Sequence, residues 1–163
     1  MPKLIMCQGL PASGKSHWSR QQEGFTVVNK DQIRNELKSQ GWVWSQENEQ
    51  EVVRIRDLQI VAALSAGKSV ISSDTNFGRK HKVRLEQLAR QFGAEFEVKS
   101  FLDVTAEECI RRDALRPEGQ RVGASVIKRM QAQYRIGTDT EEARFEPVVP
   151  DENLPRAIIC DLD

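Results

Sequence analysis

The sequence predicts an α/β sandwich of three layers, built on a four-stranded parallel sheet and carrying a helical lid. Three observations predict it. An apolar run, Leu4-Ile5-Met6-Cys7, leads straight into Gly9-Leu10-Pro11-Ala12-Ser13-Gly14-Lys15-Ser16, which has the spacing G-x-x-x-x-G-K-[ST] of a phosphate cradle set between a strand and a helix. Three further short apolar runs, at 25–28, 69–73 and 96–101, alternate with longer segments of helical period. Strands that alternate with helices pair in parallel, because each helix carries the chain back along the sheet.

The bulk numbers agree with a single domain. With 163 residues and 39% hydrophobic content the chain can bury one core. No apolar run approaches a membrane span, and the N-terminus enters a strand without the basic start and long apolar middle of a signal peptide, so a cytoplasmic protein with no membrane partner is expected. Cys7, Cys109 and Cys160 are odd in number and far apart, which argues for small buried side chains over a disulfide framework or a zinc site. Twenty-four basic residues balance twenty-four acidic ones, so a polyanionic partner must be met by a local cluster of charge.

In the cradle, Gly9 and Gly14 allow dihedrals that a Cβ forbids, Lys15 would reach the β- and γ-phosphates of a nucleotide, and Ser16 would offer its hydroxyl to Mg²⁺. The first helix is expected over 15–22. After the second strand, Asn29 is an N-cap with Gln32 three residues on, which predicts a helix over 30–40. Asp31 and Arg34 then share a face just beyond the carboxyl end of a strand, where open α/β sheets bind ligands.

The run Gly41-Trp42-Val43-Trp44-Ser45 breaks the pattern, and its two tryptophans serve either to stack nucleobases or to pack the loop onto the core. A long helix over 46–66 follows, with Val53, Ile60, Val61 and Leu64 as its inward stripe and Gly67 as its stop. The third strand ends on Asp74. An acidic residue in that place is a Walker-B position that holds Mg²⁺ directly or through water; the alternative is an aspartate that caps the turn Asp74-Thr75-Asn76.

Leu85, Leu88, Ala89 and Phe92 set the face of a helix over 80–92, on which Lys80, His81, Lys82 and Arg84 either touch phosphates or form a solvated surface. Thr105 with Glu108 caps a helix that carries Arg111, Arg112 and Arg116. The loop 116–123 and a last helix over 125–134 complete a lid whose arginines, Arg112 and Arg116, can close over a transferring phosphoryl group. From 135 to 156 the chain is charged and bears Pro147, Pro150 and Pro155, as linkers do; strand character resumes at 157–160.

Taken together, the loop G-x-P-x-S-G-K-S followed by Trp18, the segment from Asn29 to Arg34, the run Ile71-Ser72-Ser73-Asp74-Thr75-Asn76, and the pair Arg112 and Arg116 resemble the kinase domain of bacteriophage polynucleotide 5′-kinase/3′-phosphatase. The resemblance implies an adenylate-kinase-like P-loop fold and transfer of the ATP γ-phosphate to the 5′-hydroxyl of a DNA or RNA end in nucleic-acid repair. It implies ATP held by Gly9, Pro11, Ala12, Ser13, Gly14, Lys15, Ser16 and His17 with Arg112 and Arg116, and Mg²⁺ at Ser16 and Asp74. Asp31 becomes the general base, Arg34 the holder of the acceptor's phosphate, and Asp74, Thr75 and Asn76 further acceptor contacts; Lys15, Asp31 and Arg116 form the catalytic set. Residues 1–138 then make the kinase domain and 139–156 a linker. Ile159-Cys160-Asp161-Leu162-Asp163 resembles the opening of a phosphatase motif, D-x-D-G-T, so a C-terminal phosphatase domain is expected to begin at 157–163.

Two positions depart from the family's loop: Ala12 stands where glycine is usual, and His17 where a hydroxyl residue is common. If the chain is phage-encoded, the host cytoplasm is its place, and homo-oligomer formation stays open. Two other readings use the same residues. One is a P-loop kinase of a small metabolite or nucleoside; the other is an ATP-binding adaptor that moves no phosphate, against which the Asp31 carboxylate argues.

Overall fold

The structure is a computed structural model that describes residues 1–134. Its four strands are β1 (Lys3–Gln8), β2 (Phe25–Val28), β3 (Ser69–Ser72) and β4 (Glu95–Ser100), all parallel, in the order β2-β3-β1-β4. The helices are α1 (Lys15–Arg20), α2 (Lys30–Lys38), α3 (Gln46–Ser65), α4 (Arg79–Gln91), α5 (Ala106–Ala114) and α6 (Ala124–Gln133), with a 3₁₀ turn at Glu118–Gln120. Among the described residues each expected element is present, with ends shifted by a residue or two. The expected linker at 139–156, the strand at 157–160 and Cys160 lie outside the described residues. Among the described residues no helix is long and apolar enough to cross a membrane.

The central strand explains the layering. Leu4, Ile5, Met6 and Cys7 are all buried, as a parallel strand covered on both faces requires. Successive side chains alternate: Leu4 and Met6 join Val70 in the larger core beneath α2, α3 and α4, while Ile5 and Cys7 join Ile71 and the rings of Trp18, Phe25 and Phe101 on the other side. A third cluster, with Leu10, Ala106, Cys109 and Ile127 at its centre, holds α5 and α6 beside the cradle. Cys7 and Cys109 are buried free thiols.

Two caps drawn from the sequence close as hydrogen bonds. Asn29 Oδ1 accepts from the Gln32 N–H at 3.1 Å, and Thr105 Oγ1 from the Glu108 N–H at 3.2 Å. The chain leaves β1 toward β2 on one side and leaves β3 toward β4 on the other, so the loops after β1 and β3 part and open a crevice at the carboxyl edge.

The inward stripe of α3 needs correction. Ile60 and Leu64 are buried as expected and Val61, half-buried, packs against the main core, but Val53 does not join it, and Val52, Arg56 and Ala63 take the inward face. Arg56 is fully buried: its Nε and Nη2 donate to Asp57 Oδ1 at 3.1 and 2.8 Å, and Nη1 lies 3.4 Å from His81 Nδ1. Arg84 meets the other oxygen of Asp57 at 2.9 Å, which binds α4 to α3 through one carboxylate. A charge in the middle of the stripe hides it from any reading by hydropathy.

Removing one partner of a buried ion pair strands the other. Arg56→Ala should therefore lower the unfolding free energy by about 3 kcal/mol, the low end of the usual range because Arg84 still faces Asp57. Arg56→Met, which refills the volume, should lose less in urea unfolding. Equal losses would show that α3 needs the charge and not the packing.

Candidate active site

The cradle follows β1 and is shaped by its backbone. A Cβ added at Gly9 would stand 2.7 Å from Ser13 Oγ and 2.8 Å from Phe101 Cβ, so only glycine fits. Gly14 takes φ +100° as the residue that opens α1. Ala12 also lies in the left-handed region, at φ +63°, where a residue with a Cβ is strained by about 1–2 kcal/mol. The departure from glycine at position 12 thus falls where the loop would use glycine's freedom.

Lys15 is buried, and its Nζ donates to the carbonyls of Gly9 at 2.9 Å and Leu10 at 2.6 Å and to Ser13 Oγ at 3.3 Å. Burial pushes its ammonium down to about 8 from an ordinary 10.5. A cleft of about 170 Å³ opens in front of it, lined by Ala12, Gly14, Lys15, Ser16 and His17 and by three arginines, Arg20, Arg112 and Arg116. Pro11 and Ser13 stand outside that lining; Ser13 serves the cradle through its hydroxyl, on Lys15, and its carbonyl, which faces Arg112 Nη1 at 3.4 Å. Arg20 was not read from the sequence. The signal was its place on α1 one turn beyond Ser16, facing the same side.

The lid brings its two arginines to the cleft from two places: Arg112 lies on α5, but Arg116, expected on the same helix, lies in the turn after it, because α5 ends at Ala114 and the N–H of Arg116 closes a tighter turn on Asp113 O. Arg112 Nε donates to Glu108 Oε1 at 2.9 Å, and Arg116 Nη1 lies 3.6 Å from Asp113 Oδ1. Asp113 is buried and accepts the N–H groups of Val122 at 3.1 Å and Gly123 at 3.0 Å, so one carboxylate ties the loop back and fixes the start of α6.

The residues expected on the acceptor side lie on α2, which starts at the carboxyl end of β2. Asp31 is exposed on the first turn of α2, and Arg34 Nη1 donates to its Oδ1 at 2.5 Å. Arg34 Nε reaches Glu49 Oε2 at 3.0 Å and its Nη2 pairs with Glu49 Oε1, a two-pronged grip from the first turn of α3. Glu49 was missed by the sequence reading, because fifteen residues separate it from Arg34 and no local spacing links them.

Asp74 ends β3 in a buried position, with Oδ1 accepting the Lys30 N–H at 2.8 Å and Oδ2 3.5 Å from Ser72 Oγ. Burial pushes its carboxyl up, while Lys30, its N–H and Arg56 act in the other direction. The Asp74 carboxylate thus does not cap the turn Asp74-Thr75-Asn76: one oxygen joins β3 to α2 instead, and the other has only the long contact to Ser72. Ser16 hydroxyl and Asp74 carboxylate are hard oxygen donors of the kind Mg²⁺ takes, and no group of three or more His, Cys, Asp or Glu occurs among the described residues. Such a sparse donor set suits Mg²⁺, which keeps waters and substrate phosphates as ligands. Thr75 is half-buried, and its carbonyl accepts the Gly9 N–H at 3.2 Å. Asn76, expected among the acceptor contacts, turns inward: it is 1% exposed, and its Nδ2 donates to Cys7 O at 2.8 Å.

Of the two loop tryptophans, Trp42 packs against the main core and Trp44 stays exposed. On α4, Arg84 is committed to Asp57, and His81 faces Arg56.

The AAA_33 family model, described as an AAA domain, matches residues 4–136. A protein of Autographa californica nuclear polyhedrosis virus that carries the name of a bifunctional polynucleotide kinase/RNA ligase is 25% identical over 99% of this chain and 24% of its own length. Among solved structures, a chain of the Pnkp1/Rnl/Hen1 RNA repair complex superposes with a TM-score of 0.67 at 26% identity, over 82% of this chain and 44% of that one. The Mycobacterium tuberculosis APS kinase CysC shares the fold at a TM-score of 0.54 and 20% identity, over 72% of this chain and 70% of its own. The chain thus spans about a quarter of the viral relative and less than half of the repair-complex chain.

The depressed ammonium of Lys15 makes two pH dependences. Its folded value lies below the unfolded one, so its cost to folding is fully present below pH 8 and is relieved as pH rises between about 8 and 10.5. A bound polyphosphate favours the charged form, so binding should take up protons. Titration calorimetry with ADP, without divalent cation and in two buffers of different ionisation heat, should read a proton uptake near pH 8 that shrinks as the pH is lowered. Lys15→Met should abolish the uptake; uptake that persists would assign it to another group.

Proposed function

The chain belongs to the AAA_33 family of AAA domains and has the P-loop kinase fold, and from that premise we propose that it is an ATP-dependent polynucleotide 5′-hydroxyl kinase acting on DNA or RNA ends. The observation that carries the reading is the pair Asp31 and Arg34 on the first turns of α2, which starts at the carboxyl end of β2, the same edge of the parallel sheet from which the cradle leaves β1. A module that only binds nucleotide has no use for an exposed carboxylate coupled to a braced guanidinium on that rim. The names of the viral relative and of the RNA repair complex support the acceptor class.

Arg34 has five N–H donors, of which Glu49 engages two and Asp31 one. Two remain for the phosphate that follows the reacting nucleoside. With that phosphate held, the 5′-hydroxyl comes to rest against the exposed Asp31. The 5′-oxygen bonds to the γ-phosphorus, the bond from that phosphorus to the bridging oxygen of ADP breaks, and the hydroxyl proton passes to the Asp31 carboxylate. Lys15 turns from its loop carbonyls to the phosphates, and Arg112 and Arg116 face the charge that develops on the transferring group. Mg²⁺, held by Ser16 and Asp74, would neutralise phosphate charge when bound.

Asp31→Asn keeps shape and removes the proton acceptor, so kcat should fall by about 10²–10⁴-fold while the KM for ATP stays near its starting value. Arg34→Ala should raise the KM for a nucleoside 3′-monophosphate and leave the matching nucleoside little changed. Steady-state transfer from labelled ATP to both acceptors, with sugars and metabolites beside them, tests this. Equal losses on both acceptors would remove Arg34 as the phosphate clamp. Transfer confined to a sugar or metabolite would overturn the polynucleotide reading.

A further inference from the structure

The three tryptophans have three different surroundings. Trp18 meets the ring of Phe101 edge-on at 5.9 Å, Trp42 packs against the main core, and Trp44 is 67% exposed beside Val43, itself 72% exposed. That exposure does not come from a loose loop. Asn48 Nδ2 donates to Val43 O at 2.6 Å, the Asn48 N–H donates to Ser45 Oγ at 3.0 Å, and the Trp42 N–H donates to Leu37 O at 3.1 Å. The turn between α2 and α3 is braced on both sides and presents an indole and a valine to water.

Its neighbours carry charge of both signs: Glu47 and Glu49 open α3, with Glu49 paired to Arg34, and a row of cations runs along α2. Lys30, Arg34 and Lys38 recur at i, i+4 and i+8, so they line one face of α2 with steps of about 6 Å along its axis. The stripe begins where the Lys30 N–H meets Asp74 and ends at Lys38, whose carbonyl accepts the Gly41 N–H at 3.1 Å in the same turn. Glu49, which grips Arg34, lies one turn beyond Ser45, the cap of α3. The aromatic surface and the acceptor clamp therefore share one corner of the fold. A basic track beside an exposed aromatic is the arrangement that holds single-stranded nucleic acid, with phosphates on the cations and bases on the ring.

We propose that Trp44, with Val43 beside it, is a nucleobase platform that stacks a base of the acceptor strand on the 3′ side of the nucleotide held by Arg34, with Lys38 on the intervening backbone. The inference rests on the polynucleotide reading of the acceptor. It makes this corner the element that separates a strand from a single nucleotide, since a nucleoside 3′-monophosphate has no second base to place there.

The test uses the whole chain and three acceptors: a nucleoside 3′-monophosphate, a short single-stranded oligonucleotide with a 5′-hydroxyl, and the same oligonucleotide with its second nucleotide abasic. Trp44→Ala should raise the KM for the oligonucleotide by about fivefold to a hundredfold, the range of a lost stacked base, with kcat unchanged and the monophosphate unaffected. The abasic oligonucleotide should show that raised KM already with the unaltered protein, and Trp44→Phe should keep most of the affinity. An oligonucleotide KM that Trp44→Ala leaves unchanged overturns the platform.

Binding read by tryptophan emission separates the two hypotheses. The oligonucleotide should quench the unaltered protein, and Trp44→Phe should abolish the quench while binding persists. Quenching with no phosphate transfer would overturn the kinase reading and uphold the platform. Quenching that survives Trp44→Phe would overturn the platform alone, and neither transfer nor quenching would overturn both.

Discussion

Two hydrogen bonds join the carboxyl ends of the two central strands, and the crevice depends on them. Asn76 Nδ2 donates to Cys7 O at 2.8 Å, and the Gly9 N–H donates to Thr75 O at 3.2 Å. For Asn76 to reach, its backbone takes φ +49°, a conformation asparagine tolerates better than other residues with a Cβ. The bond satisfies a buried carbonyl where the β1 ladder ends, which would otherwise be left without a partner. As a result the cradle after β1 and Asp74 after β3 are held side by side. The latch has a cost, since Asn76 Oδ1 is buried with no partner of its own.

Around that joint several cations of the site are occupied from within. Lys15 donates to its own loop, Arg34 to Glu49 and Asp31, and Arg112 to Glu108, whose carboxyl two arginines hold down to about 2. Ligand phosphates thus exchange with internal acceptors instead of meeting free charge, so less net energy is gained per contact than an isolated ion pair suggests. What the internal partners provide is position. A guanidinium gripped at two atoms by Glu49 has lost most of its rotamer freedom before any ligand arrives.

The lid and the α3–α4 contact use one device, a low-exposure carboxylate that serves two partners. Asp113 joins the start of α6 to the turn that carries Arg116, and Asp57 joins Arg56 to Arg84. Each fixes the distance between two helices at a point where apolar side chains alone would permit sliding.

Features encoded by neighbours in the chain were legible in the sequence. The cradle, the caps at Asn29 and Thr105, the alternation of strand and helix, and the lid arginines all depend on spacings of a few residues, and a backbone with a fixed number of residues per turn turns such spacings into geometry. Features settled by the meeting of distant segments were not. Arg56 lies inward against the hydropathy pattern because Asp57, His81 and Arg84 surround it; Glu49 grips Arg34 because α3 packs on α2; and Asn76 turns in because β1 lies beside β3. The two loop tryptophans make the division plain. The sequence by itself determined that a broken pattern with two indoles separates α2 from α3, but only the tertiary structure decided that Trp42 fills the core and Trp44 faces water, since burial is a relation to the neighbouring helices and not a property of the residue.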